Sequence, residues 1–203
     1  MTSIETKPLF ELQKKLDAHI IKNKELEGID KFPAKVLAAL VEIGENANEQ
    51  RSWKYWSNDQ EPRNFEWHGD CKICKGSGVN DKWLSCENCA GTGDGYKNPL
   101  LEELVDVLHF KLSLGNSLSV DFERVDKLPF GKEPTLEKQY NTLFYLVSHL
   151  GVFEDKLMLT HYFYLSFSYF LGLTEMLGFT WNEVVEAYQV KNKVNHDRQE
   201  NGY

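Results

Sequence analysis

A chain of 203 residues, 41% hydrophobic and 27% charged, is long enough for one well-buried domain plus a small appendage and has the balance of an ordinary soluble globular protein. Its net charge of −8 argues against a general nucleic-acid binder, which needs a basic face for the phosphate backbone. The N-terminus, MTSIETKPLFELQKK, lacks the charged-then-apolar pattern of a secretory signal, which points to a cytoplasmic protein.

In chain order, residues 8–22 place Leu9, Leu12, Leu16 and Ile20 at helical spacing. Residues 31–57 form a second helix, with Pro33 tolerable in its first turn. Residues 58–97 break the pattern: they are rich in Gly, Asn, Asp and Cys and have no helical period. Asn98 as N-cap and Pro99 as first residue then open a helix over 99–115. Residues 116–134, with Pro129, Gly131 and Pro134, read as an irregular connection. Two aromatic-rich helices follow, over 136–150 and 155–177, separated by Gly151. The uncharged stretch 157–173 is interrupted by Thr160, His161, Ser166, Ser168 and Gly172 and is short for a membrane span, so it reads as a core or subunit-interface helix. Thr180 and Glu183 have capping-box spacing and open the last helix, expected to end near 194 before a polar tail. The expected fold is all-α. A bundle of about six helices, residues 1–57 and 98–203, carries a zinc-sized insertion over 58–97.

The insertion holds every cysteine of the chain: Cys71 and Cys74 form one C-x-x-C, Cys86 and Cys89 a second. Four thiolates paired in this way suit a closed tetrahedral zinc site. Two disulfides are the alternative, which a cytosolic location disfavours. All four positions are cysteine, leaving none open for catalysis, so the zinc is structural. Gly76 and Gly78 follow the first pair and Gly91 and Gly93 the second, letting the chain turn so that backbone amides face the thiolates. This doubled CxxCxGxG pattern resembles the cysteine-rich region of DnaJ-type chaperones, over these residues alone.

On either side of the insertion lie two acidic pairs. Glu42 and Glu45 share one helix face in ALVEIGENANEQ, and Glu103 and Asp106 repeat that spacing in NPLLEELVDVLHF. Asp106 sits among leucines and valines that should be largely buried, and buried carboxylates are costly unless paired or bound to a cation. Solvated surface acids are the bland alternative. Matching spacing on two apolar helices favours convergence, upon antiparallel packing, into one four-carboxylate site suited to magnesium and substrate phosphates. Such a metal can activate water and stabilise charge at phosphorus.

E-x-x-E followed by E-x-x-D on neighbouring helices resembles the signature of the all-α nucleoside triphosphate pyrophosphohydrolases, which include MazG-like enzymes and the dimeric dUTPases. Three local matches resemble the dimeric dUTPases in particular. The tail KNKVNHDRQENGY places Lys191, Asn195, Arg198 and Tyr203 at that family's spacing; His109 and Phe110 follow Asp106; and WKYW at 53–56 follows the first acidic helix, with Gln13 in an N-terminal L-Q-x-x-L. Leu16 stands where the family often has a second polar residue, and the choice between Trp53 and Trp56 stays open.

The resemblance implies a magnesium-dependent homodimer that hydrolyses dUTP to dUMP and pyrophosphate. Glu42, Glu45, Glu103 and Asp106 would hold the metal, and Glu45 by preference would activate water. Gln13, Trp53, Trp56, His109, Phe110, Lys191, Asn195, Arg198 and Tyr203 would bind substrate. The basic groups suit a triphosphate, and the aromatic and amide groups a pyrimidine. Residues 195–203, nearly without apolar anchors, are expected to be mobile until they close over nucleotide. A hydrolase of another nucleotide such as dCTP, and a zinc-module adaptor on a degenerate enzyme fold, are the competing readings. The insertion lies between the two acidic helices, where it could stiffen the loop, cover the site or dock a protein partner.

Overall fold

The computed structural model describes residues 4–86, 89 and 92–202. Among them are seven α-helices and two short strands, arranged in two compact units. One unit comprises the chain up to Asn48 and from Glu103 on; the other is Glu49–Glu102.

The first unit is helical. It contains α1 (Lys7–Asn23), nearly all of α2 (Phe32–Gln50), most of α3 (Pro99–Leu118), α4 (Phe122–Asp126), α5 (Leu136–Ser148), α6 (Lys156–Met176) and α7 (Trp181–Glu200). The α1 stripe buries Leu9, Phe10 and Leu16, and with them the polar Gln13. Leu104, Leu108 and Leu112 of α3 and Phe163, Phe167 and Phe170 of α6 are fully buried and form the apolar centre. Packing there is tight: a Cβ at Gly115 would lie 2.6 Å from the Phe10 ring. Gly172 in α6 is as constrained, because any side chain would collide with the Gly131 carbonyl of the preceding connection. Gln139 Nε2 donates to that same carbonyl at 2.8 Å and to Tyr169 O at 2.7 Å, fixing the connection to the helix. The helix over 157–173 is thus a core helix, and among the described residues none is long and apolar enough to cross a membrane.

Several boundaries depart from expectation. α2 stops at Gln50 rather than near 57, because Arg51 enters the left-handed region (φ 66°) and tight turns follow. α3 runs on to Leu118. The expected irregular connection contains α4, capped by Asp121, which makes seven helices instead of about six. The capping box at Thr180 and Glu183 forms as expected. The helix it opens, however, continues through Glu200, past the expected end near 194. The reason is a partner: His196 stacks on His19 of α1 with ring centroids 5.1 Å apart, and Asn23 Nδ2 donates to Gln199 O at 3.1 Å. Residues 195–200 are therefore helical, correcting the expectation of a mobile tail; Tyr203 lies outside the described residues.

The second unit contains an antiparallel pair, β1 (Glu66–Asp70) and β2 (Asp94–Lys97), which the short stretches EWHGD and DGYK gave little reason to expect. Its register is irregular between Trp67 and Asp70, just before the first cysteine. Phe65 stacks on Tyr96 at 4.3 Å and Lys97 pairs with Glu66 at 2.9 Å, closing the open end of the hairpin.

Candidate functional site

The four cysteines converge, all buried in the second unit. Cys71 and Cys86 Sγ are 4.0 Å apart, and Cys74 and Cys89 Sγ 3.7 Å. A disulfide would need about 2 Å, whereas a zinc tetrahedron with arms of about 2.3 Å has edges of about 3.8 Å. The two halves are related in a two-fold manner. Cys71 N donates to Gly93 O and Cys86 N to Gly78 O, while the amides of Gly78 and Gly93 point at Cys74 and Cys89 Sγ from 3.2 and 3.3 Å. Gly93 (φ 82°) must be glycine, since a Cβ would lie 2.4 Å from Gly76 O. The expected Gly91 falls outside the described residues. With these amides facing the sulfurs, the four side chains could hold one zinc ion.

In the helical unit, Glu42 of α2 meets Glu103 and Asp106 of α3: one carboxylate oxygen from each lies within 4.8 Å of the others. All three are half-buried. Burial first, then the charges of Asp106, Glu45 and Glu103, push Glu42 up to about 7 against the small opposing effect of Lys191. Carboxylates crowded in this way and only partly solvated are the donor set a hard divalent cation satisfies. Glu45, one turn along α2, is exposed and stands outside the trio. Lys191 of α7 reaches into the cluster, with Nζ 2.7 Å from Asp106 Oδ2.

Beside the trio is a cavity of about 350 Å3 whose lining includes Gln13, Asp17, Asp106, His109, Phe110 and Asn195. Its size is that of a small-molecule site. A second cleft of about 840 Å3, around Phe32, Leu118 and Phe153, contains none of the candidate site residues named in the sequence. Gln13 Oε1 lies 2.7 Å from His109 Nδ1 and accepts from the Tyr188 hydroxyl at 3.0 Å; Gln13 Nε2 donates to Asp17 Oδ1 at 2.7 Å. His109 is 5% exposed and stacks on Tyr188 at 4.3 Å. Burial, aided by Lys191, pushes its imidazole down to about 3, so the ring is neutral at physiological pH. Asp17 also accepts from Ser113 Oγ at 2.5 Å and Lys35 Nζ at 3.3 Å.

Lys191, Asn195 and Arg198 share one face of α7 by their i, i+4, i+7 spacing, and Arg198 Nη1 donates to Asn195 Oδ1 at 3.3 Å. Trp53 and Trp56 belong to the second unit, where their rings meet edge-to-face at 5.3 Å. Trp53 is half-buried and Trp56 64% exposed. Asp17, Ser113 and Tyr188 were not among the residues singled out, although a signal existed. Asp17 is one turn beyond Gln13, Ser113 one turn beyond His109, and Tyr188 nearly one turn before Lys191.

Compared with models of known protein families, the chain matches the family described as dUTPase over residues 5–67 and 92–203. The match skips the stretch that contains the four cysteines. No curated protein matches the chain.

Proposed function

The chain belongs to the dUTPase family, and from that premise we propose that it hydrolyses dUTP to dUMP and pyrophosphate with magnesium as cofactor. The observation that carries the proposal is the convergence of Glu42, Glu103 and Asp106 beside a cavity of nucleotide-base size. These three, together with Glu45, would hold magnesium. When bound, the ion supplies positive charge to the phosphate oxygens and lowers the pKa of water. Glu45 is exposed on the same helix and would orient the attacking water and take its proton. A bond then forms from that oxygen to the α-phosphorus as the bond to the bridging oxygen breaks, and pyrophosphate leaves.

Lys191 and Arg198 are the cationic groups on the shared α7 face and would receive the phosphates. Lys191 offers a charge exchange. It pairs with Asp106 at 2.7 Å and would turn to phosphate when that carboxylate holds a cation. Phe110, Gln13, His109 and Asn195 would form the base pocket. Tyr203 keeps its expected role toward the sugar or phosphate. A structural zinc held by Cys71, Cys74, Cys86 and Cys89 completes the cofactor set. The protein would act as a homodimer, burying apolar side chains such as Leu37 and Val41 of α2, which are 63% and 48% exposed in the single chain.

A turnover screen over the deoxynucleoside triphosphates with magnesium, reading pyrophosphate and monophosphate, tests the activity. dUTP should be the preferred substrate, and Glu42→Gln and Asp106→Asn should abolish its hydrolysis. Unchanged rates in both variants would remove the acid cluster from the chemistry. Light scattering tests the dimer.

A further inference from the structure

We infer that Asp17 is the residue that sets base selectivity, by fixing the amide of Gln13 and, through it, the tautomer of His109. The inference rests on the reading of this cavity as a base pocket.

The relay begins with a group whose three partners are all donors. Gln13 Nε2, Ser113 Oγ and Lys35 Nζ point at Asp17, which acts as an acceptor only. The Gln13 atom facing it at 2.7 Å must therefore be nitrogen, because the flipped amide would set its oxygen against a carboxylate oxygen. The amide oxygen is thereby turned to His109 and Tyr188. It can only accept, so His109 Nδ1 carries the proton and donates. A neutral imidazole has one N–H, hence His109 Nε2 is left with a bare lone pair. That atom is buried and has no hydrogen-bond partner among the described residues. Tyr188 reinforces the arrangement: its hydroxyl lies closer to Gln13 Oε1 (3.0 Å) than to Leu9 O (3.3 Å).

Two residues lining one cavity thus present defined polarity. Gln13 retains a second amide N–H to donate, and His109 Nε2 waits to accept. Uracil carries a carbonyl next to a ring N–H, the complementary pair. Cytosine carries an amine next to a bare ring nitrogen and would meet donor with donor and acceptor with acceptor. The selectivity is for an imide over an amino-pyrimidine. Without Asp17 the amide can flip, His109 can shift its proton to Nε2, and the polarity of both groups inverts together. Leu16 brings no polar group to this pocket, so Asp17, one residue further along α1, carries the orientation alone from that helix.

The experiment compares wild type, Asp17→Asn, Asp17→Glu and Ser113→Ala for kcat/KM on dUTP and dCTP, together with the imidazole nitrogen shifts of His109 by NMR. Asp17→Asn can face Gln13 with either end of its amide, so the dUTP:dCTP ratio should fall by about tenfold or more, chiefly through KM for dUTP. Wild-type His109 should show a protonated Nδ1, and the variant a mixture of tautomers. Asp17→Glu, which keeps the carboxylate, should restore part of the ratio, while Ser113→Ala should hold it within about twofold. An unchanged ratio with an unchanged His109 tautomer in Asp17→Asn overturns the relay. A wild type inactive on both nucleotides overturns the proposed function instead, and the NMR tautomer then decides the relay by itself.

Discussion

Lys191 of α7 holds Asp106 of α3 in a 2.7 Å ion pair, both side chains less than a fifth exposed. That contact sets a positive charge against the acid trio and lowers the electrostatic cost of gathering three carboxylates in a half-buried site. It also ties α7, the helix that brings Asn195 and Arg198, to the acidic helix.

Lys191→Met should therefore produce two opposite effects. Magnesium affinity should rise, because the competing cation on Asp106 is gone. Turnover should fall by about a hundredfold, because a phosphate loses its charged donor. Calorimetric titration and steady-state rates separate the two. A variant with weaker magnesium binding would show that the pair organises the site rather than standing in for the metal.

Glu42 supplies the pH dependence. Its folded value near 7 lies above its unfolded value of 4.5, so the metal-free fold binds an extra proton between those limits. Stability from this group is fully present below about 4.5 and is lost as pH rises through 7. With the carboxyl half in solvent, the amount is on the order of 1 kcal/mol after screening. Magnesium must displace that proton, so its affinity should rise from pH 6 to 8 with release of up to one proton. Titrations in buffers of different ionisation enthalpy read this directly. Glu42→Gln should abolish both trends, and a proton count of zero in the wild type would contradict the shift.

How much of this was legible in the sequence depends on the range of the interaction. The cysteine cluster and the Thr180 capping box are local patterns, and both appear where their spacing places them. The acid pairs lie on α2 and α3, where Glu42, Glu103 and Asp106 come together, but spacing alone does not show which of Glu42 and Glu45 turns inward, since that depends on how α2 is rotated against α3. The end of α7 was misjudged because its polar tail lacks an apolar stripe. What holds it is His19 and Asn23 of α1, at the far end of the chain, which no window over the tail contains. The Gln13–Asp17–His109–Tyr188 network joins three helices for the same reason.

Zinc removal should act on one unit only. Cys74→Ser or Cys86→Ser should lose the metal and loosen the hairpin of β1 and β2, since both cysteines are buried at the crossing of the two halves. The helical unit has its own apolar centre and should keep its helical circular dichroism. Metal analysis of protein kept reduced should give about one zinc per chain. Protein without zinc that keeps an ordered hairpin would refute a metal-built module.

Lys111 of α3 is fully buried, its Nζ has no hydrogen-bond partner among the described residues, and burial drives its amine well below the usual lysine range. Burial disfavours its charged form in the folded state, so the penalty shrinks as pH rises toward the unfolded lysine value. Lys111→Met, similar in length and apolar, should stabilise the protein by about 1–3 kcal/mol near pH 7 and by less near pH 10. Denaturant titrations at the two pH values check both size and trend. A destabilised variant would mean the amine has a role that methionine cannot take.

The C-terminal turns have two separable roles. If residues beyond Asn195 served only to close over nucleotide, deleting 196–203 would leave the ligand-free melting temperature untouched. The structure gives those residues a standing contact. His19 and His196 bring their Nδ1 atoms to 2.9 Å, Asn23 Nδ2 lies 3.1 Å from His19 Nε2, and the same amide donates to Gln199 O. Asn23 donates to His19 Nε2, so that nitrogen is bare and His19 Nδ1 carries the proton given to His196. Deletion of 196–203 should therefore lower Tm by several degrees as well as reducing turnover, for about 1 kcal/mol of lost stacking and hydrogen bonding. Arg198→Ala should reduce turnover with Tm nearly unchanged, since Arg198 is exposed and its 3.3 Å bond to Asn195 lies on the surface of its own helix. His196→Ala should do the reverse, costing stability first. If all three variants lose turnover while none shifts Tm, α7 is not anchored to α1 at this end, and the tail acts only when substrate arrives.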